Sequence, residues 1–218
     1  MKRRLRPIVV AAVSTVALSG CGGSGESGSP LGSGPGQVAA PAGPYRLKMP
    51  KAVLKGTFTE SDHAEPNQQV ASLLSSQIEN GVTAFATYRP AGRKSVTDGP
   101  VLAVNGVFGT VLGPVTARDG LLQILDNRTT VPDRRTTVIT GPRTIFPRGS
   151  SEPVSCRIVE KTDRYGTGWD ADCSWADGSA VAVVSQLVDY GMAPTQFDLA
   201  ALAAKTDIIR SEVRVPIT

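Results

Sequence analysis

Histidine is almost missing from this chain of 218 residues; His63 is the only one. A Ser–His–Asp triad would have to use it, and no G-x-S-x-G elbow occurs to offer it a serine. His63 stands in the acidic turn Ser61-Asp62-His63-Ala64-Glu65, which reads as a solvated loop or a helix N-terminus. Cysteine is also scarce, at three. No glycine-rich phosphate loop follows a strand, and no EF-hand spacing occurs. No cofactor and no metal is therefore expected. Carboxylates that only folding brings together stay invisible at this level. Asp170, Asp172 and Asp177 are the candidates for such a pair, although Asp is common beside turns for structural reasons.

The apolar run from Pro7 to Leu18 is too short to cross a bilayer, which takes about 20 such residues. It follows Lys2, Arg3, Arg4 and Arg6, with no acid among them. A charged start and a short apolar stretch are the pattern of an export signal. The Arg3-Arg4 pair leaves the route open between general and twin-arginine export.

The run ends in Leu18-Ser19-Gly20-Cys21, which resembles the lipobox of bacterial lipoproteins. The resemblance implies cleavage before Cys21, a signal peptide over 1–20, and a diacylglycerol thioether on Cys21. That acyl group would make membrane lipid a partner and hold the chain on the outer face of the cell membrane. The alternative is an ordinary secretory signal followed by a chance cysteine. Residues 22–44 are almost wholly Gly, Ser, Pro and Ala. Such a composition cannot build a core, so 21–44 reads as the lipidated cysteine plus a disordered tether, spanning roughly 25 Å r.m.s..

Removing the signal changes the charge. The whole chain carries 23 basic and 19 acidic residues, and four basic ones lie in 1–20, leaving 23 − 4 = 19 against 19. A neutral mature chain gives no reason to expect nucleic acid as a partner. One basic stretch remains, Arg128, Arg134, Arg135, Arg143 and Arg148, with Asp133 opposing it. It reads either as solvated loop arginines or as a surface for anionic lipid or a wall polymer.

With Cys21 taken by lipid, Cys156 and Cys173 form an even pair in an oxidising compartment. One disulfide follows, closing a loop whose constraint on the unfolded chain is worth roughly 3 kcal/mol. A metal site is the rival reading, but two isolated cysteines and one histidine cannot complete a zinc shell. The two cysteines flank Arg164-Tyr165 symmetrically, so the bridge joins the strands of a hairpin with a longer loop. Trp175, two residues beyond Cys173, shares its face and reads as a cover for the bridge, or as a ligand-stacking surface.

Residues 45–218 read as a single globular domain. Ala52–Phe58, Val82–Tyr88, Val101–Phe108, Thr136–Thr140, Val154–Val159, Asp172–Ala176 and Ser179–Val188 read as strands. Asp177-Gly178 predicts a tight hairpin of type I′. Three helices are legible. The first starts near Pro66, buries Val70, Leu73, Leu74 and Ile78, and stops at Asn80-Gly81. The second runs from about Thr116 to Leu125 with Leu121, Leu122 and Leu125 inward. The third opens with a Thr195/Asp198 capping box and buries Leu199, Leu202, Thr206, Ile209 and Val213.

A faint repeat pairs Val101 with Val181, Val104 with Val184, Pro114 with Pro194 and Leu122 with Leu202. It would make two similar strand–strand–helix halves. The fold class is α+β, an antiparallel sheet with helices packed on it.

The segments Tyr45-Arg46-Leu47, Cys173-Ser174-Trp175-Ala176-Asp177 and Arg210-Ser211-Glu212-Val213-Arg214-Val215-Pro216 are similar to landmarks of uncharacterised actinobacterial surface lipoproteins. That likeness implies the compartment and the disulfide, and no activity. The leading expectation is a non-enzymatic tethered domain that binds an envelope protein or a small ligand. The alternative is a cell-envelope hydrolase working with acidic residues.

Overall fold

The computed structural model describes residues 45–62, 65–93, 99–127, 133–187 and 193–217. The proposed signal peptide, Cys21, the tether, His63, Arg128 and Val188 lie outside the described residues. No helix among the described residues is long and apolar enough to cross a membrane.

Among the described residues ten strands and three α-helices, with a short 3-10 turn at Pro194–Gln196 before the last helix, follow one another: β1 (Tyr45–Leu47), β2 (Ala52–Val53), β3 (Phe58–Asp62), α1 (Gln69–Leu73), β4 (Ile78–Pro90), β5 (Val101–Val111), α2 (Pro114–Asn127), β6 (Arg135–Ile145), β7 (Val154–Asp163), β8 (Gly166–Ala176), β9 (Ala180–Leu187), α3 (Leu199–Val213) and β10 (Arg214–Pro216). Eight strands form one antiparallel sheet in the order β2-β3-β4-β5-β9-β8-β7-β6, and β1 pairs with β10 in a small second sheet. The α+β expectation holds.

Alternation along the central strands makes two cores. Val107, Val181 and Val183 face α1 and α2 with Leu74, Ala117 and Leu121. Leu102, Val104, Ala182 and Val184 face α3 and β1 with Leu47, Leu202, Ile209 and Val213. Strands covered on both faces need a near-continuous apolar run, and β5 and β9 supply it. Gly106 of β5 is required by close approach. A Cβ there would stand 2.4 Å from Leu47 Cδ1 and 3.0 Å from Ala182 Cβ, where β1 crosses the sheet.

The structure redraws several predicted elements. Ala52–Phe58 is not one strand, because Leu54, Lys55 and Gly56 have φ of 55°, 56° and 84° and turn the chain back on itself. The turn exposes successive N–H groups, and Glu212 answers them: its carboxylate accepts from Leu54 N at 2.7 Å and Lys55 N at 2.9 Å. The first helix is a short one. Leu73 is 58% exposed, and Ile78 opens β4 instead of closing α1. Asn80 does take positive φ, 54°, but at a bulge in β4 and not at a helix end.

The helix α2 reaches from Pro114 to Asn127, longer than its apolar face indicates, because proline suits the first turn. The cap of α3 is Asp198 itself, which accepts from Ala200 N at 3.0 Å and Ala201 N at 2.9 Å. Strands β7 and β8 run on to a pairing of Asp163 with Gly166, so their loop is a tight two-residue turn and not a long one. The Asp177-Gly178 hairpin is present without the positive φ of a type I′ turn. The Asp177 carboxylate organises it instead, accepting from Ser179 N and Oγ at 2.7 Å and Ala180 N at 3.0 Å.

The faint repeat matches the order of elements. Units β4-β5-α2 and β8-β9-α3 meet at the centre of the sheet, with Val104 opposite Val184. The helices nevertheless lie on opposite faces, so the units agree in order and differ in where the helix packs.

Candidate functional site

One end of the large sheet carries a cleft of about 720 Å³, a size suited to a small organic ligand. Its walls come from the first residues of β7 and last of β8, the β8–β9 turn, the N-terminus of α2, the end of α3, and Tyr45 of β1. The surface mixes apolar groups (Pro114, Val115, Pro153, Val154, Trp175) with the serines 155, 174 and 179 and three arginines, 118, 210 and 214.

Arg210 in the last turn of α3 and Arg214, which caps the helix and opens β10, stand one turn apart at this end, with side chains 4% and 9% exposed. Arg210 donates to the Glu152 backbone oxygen at 3.0 Å and to that of Pro153 at 3.3 Å, and pairs with Asp207. Arg214 donates to Glu152 Oε2 at 2.9 Å and also pairs with Asp177, whose other oxygen is held by its own turn. Its guanidinium lies 5.7 Å from the centre of the Tyr45 ring. The two cations therefore tie the β6–β7 loop, the β8–β9 turn and β1 together across the cleft. Ser174 Oγ is spent on the Ser155 backbone oxygen, 3.1 Å away.

Among the described residues no group of three or more His, Cys, Asp or Glu side chains could hold a metal ion. The acids of the cleft, Glu152 and Asp177, are committed to arginines. No family model, no curated protein and no solved structure matches this chain.

Cys156 and Cys173 are joined as a disulfide between directly opposed residues of β7 and β8, with Cα atoms 4.1 Å apart. Trp175 lies on their face, buried to 2% exposure, and also lines the cleft. It shares one buried core with Cys156 and Cys173, and that burial leaves little ring surface for stacking a ligand. The basic stretch of β6 is split by the length of the strand. Arg134 pairs with Asp163 at the far end, 2.7 Å apart, while Arg143 and Arg148 sit at the cleft end.

Asp170 and Asp172 do emerge from one face of β8, but in the middle of the sheet and away from the cleft. Asp172 is held by Arg157 at 3.0 Å and by Ser185 Oγ at 2.7 Å, and Asp170 pairs with Lys161. Sequence reading missed Arg157, whose partners Asp172 and Asp126 come from another strand and from α2. Burial opposes its charge, yet the hydrogen bonds it donates to Asp126 and the field of both carboxylates hold its pKa above the ordinary value. The one signal in the sequence is an arginine in the otherwise apolar start of β7.

Burial pushes the Asp170 carboxyl above its ordinary value, Lys161 opposing and Asp172 adding to the shift. The folded state therefore holds this proton more tightly than the unfolded chain, whose Asp titrates near about 3.9. Its stabilising contribution is present below that pH and is lost as pH rises through the folded value. Asp170→Asn removes the loss. In urea unfolding, the variant should gain on the wild type as pH goes from about 4 to 7; a difference independent of pH would contradict the assignment.

Proposed function

We propose that this chain is an extracytoplasmic lipoprotein, similar to uncharacterised actinobacterial surface lipoproteins. Acylated Cys21 holds it on the outer face of the cell membrane, and its domain binds a small ligand or envelope protein without catalysing a reaction. The anchoring half rests on Leu18-Ser19-Gly20-Cys21 and the Gly/Ser/Pro stretch behind it. The binding half rests on one observation. Three segments far apart in the chain, Tyr45–Leu47, Cys173–Asp177 and Arg210–Pro216, contribute to a single cleft in which Arg210 and Arg214 are paired with Glu152 and Asp177. Paired charges fix walls and leave apolar and hydroxyl surface for a ligand. The hydrolase reading has less support, because Asp170 and Asp172 are each paired with a cation outside the cleft.

Two measurements test the two halves separately. Cys21→Ala should move the protein from the membrane fraction to the soluble one, and unchanged retention would reject the lipid anchor. Native mass spectrometry of protein extracted from membranes should find a bound small molecule or partner that Val115→Trp, at the exposed lip of the cleft, displaces. The absence of any adduct in the wild type, or an adduct indifferent to Val115→Trp, would reject the cleft as the site.

A further inference from the structure

The described residues include nine large hydrophobic side chains that are well exposed, and they are not evenly spread. Leu112 (59%), Val115 (62%), Phe146 (65%) and Ile217 (54%) all belong to the end of the sheet that carries the cleft. Leu112 follows the last residue of β5, and Val115 lies in the first turn of α2. Phe146 follows β6, and Ile217 follows Pro216, which stands opposite Tyr45. Single exposed hydrophobics are ordinary on a soluble surface, but four around one rim mark a face that meets something apolar.

The charges of the same end point to what that is. Arg143 and Arg148 are exposed beside Phe146, and Arg46 is exposed next to Tyr45. Three acids at this end are committed to cations, Glu152 and Asp177 to Arg210 and Arg214 and Asp207 to Arg210, which leaves Glu79, exposed opposite Thr110, as a single acid against Arg46, Arg143 and Arg148. Asp119 pairs with its neighbour Arg118. The outward charge of this rim is therefore positive. Apolar tips ringed by guanidinium groups are complementary to a bilayer with anionic headgroups, where arginine and lysine near the surface are each worth about a five-fold gain in affinity. A second copy of the chain would bring the same cations against themselves.

The path of the chain gives the third argument. The described residues begin at Tyr45, on this rim, and 23 residues (22–44) separate it from Cys21. On the tether reading of 22–44, a chain of that length spans roughly 25 Å, which brings whatever end of the domain carries Tyr45 within reach of the anchored lipid.

We propose that the cleft end of the sheet is a docking face for an anionic phospholipid surface, with Phe146 and Leu112 entering the headgroup layer and Arg143 and Arg148 meeting its phosphates. The proposal rests on the reading of Cys21 as an anchor for its placement near lipid. Its test does not, because it uses chain that carries no acyl group. Both cores and the disulfide lie within 45–218, so a chain begun at Gly22 retains the whole folded unit.

The experiment is co-sedimentation of that chain with vesicles of phosphatidylcholine alone and of phosphatidylcholine mixed with phosphatidylglycerol. Binding should be confined to the mixed vesicles and weaken with salt. Arg143→Gln with Arg148→Gln should weaken it about thirty-fold, by about five-fold for each cation. Leu112→Ser with Phe146→Ser should also weaken it, while Arg135→Gln with Tyr165→Ser, at the opposite end, should leave it unchanged. All these side chains are exposed, and thermal melting confirms that each variant folds. Three results would overturn the proposal: no binding to mixed vesicles, equal loss from the far-end pair, or self-association of the chain that Phe146→Ser abolishes. Cell fractionation of Cys21→Ala reports on the anchor alone, so the two claims fail separately.

Discussion

Arg157→Met should destabilise the domain by about 3–5 kcal/mol, the largest effect expected of any single substitution here. Arg157 leaves β7 on the α2 face of the sheet and is almost fully buried. It donates to both oxygens of Asp126, at 2.8 and 2.6 Å, and to Asp172 Oδ2 at 3.1 Å. Methionine fills a similar volume, so the loss measures the stranded acids more than a cavity. Asp172 is 5% exposed and would keep only Ser185 Oγ as a donor. Asp126 sits in the last turn of α2, where the helix end already disfavours a negative charge.

The double variant Arg157→Met/Asp172→Leu decides the cause. It removes the buried cation together with its most buried partner, and Asp126 is partly exposed and can turn to water. Replacing both members of a buried pair with apolar groups is often neutral. Urea unfolding should therefore show the double variant recovering most of the stability that the single one loses. Equal losses in the two would mean that packing, and not stranded charge, sets the cost. A domain of this size has a net stability of about 5–15 kcal/mol, so the single variant should unfold at visibly lower denaturant.

The same residue shows why some of this molecule was legible in the sequence and some was not. Strands β4, β5 and β9 declare themselves by period or by unbroken apolar character, because burial on one or both faces acts residue by residue. The disulfide was legible from the cysteine count and the compartment that the lipobox resemblance implies. Arg157 was not, since Asp126 is 31 residues away in another element, and no local pattern records that pairing.

Backbone reversals hid in the same way. Leu54 and Lys55 hold positive φ without the glycine or asparagine that usually announces it, and the group that stabilises them, Glu212, arrives from the far end of the chain. Asn80-Gly81 announces a positive φ correctly but does not say whether a helix or a bulged strand uses it. The cleft lies between these cases. Its segments could be singled out one at a time, but their meeting needs β8 and β9 side by side and α3 laid across the opposite face from α2. Arg210 and Arg214 look like the ordinary basic end of a helix until the sheet brings Glu152 and Asp177 beneath them.

Loss of the bridge in Cys156→Ala/Cys173→Ala should cost about 3 kcal/mol from the unfolded chain alone, with a further loss for the space the sulfur atoms leave. The bridge spans 17 positions and ties residues that already face each other in a tight hairpin. It therefore adds few new contacts to the folded state and acts by restricting the unfolded one. Reduction separates the two terms, since it breaks the link and keeps both sulfurs in place. The reduced wild type should lose about 3 kcal/mol, and the double alanine variant more. Both cysteines are fully buried, so thiol labelling of the unreduced folded protein should find neither, and labelling after reduction should appear only as the chain unfolds. A free Cys156 or Cys173 thiol in unreduced, unfolded protein would show that the bridge had not formed. The cleft should feel its loss less than the hairpin does. Trp175 links the two, but the walls are held separately by Arg210 and Arg214, so ligand affinity should survive reduction wherever the domain remains folded.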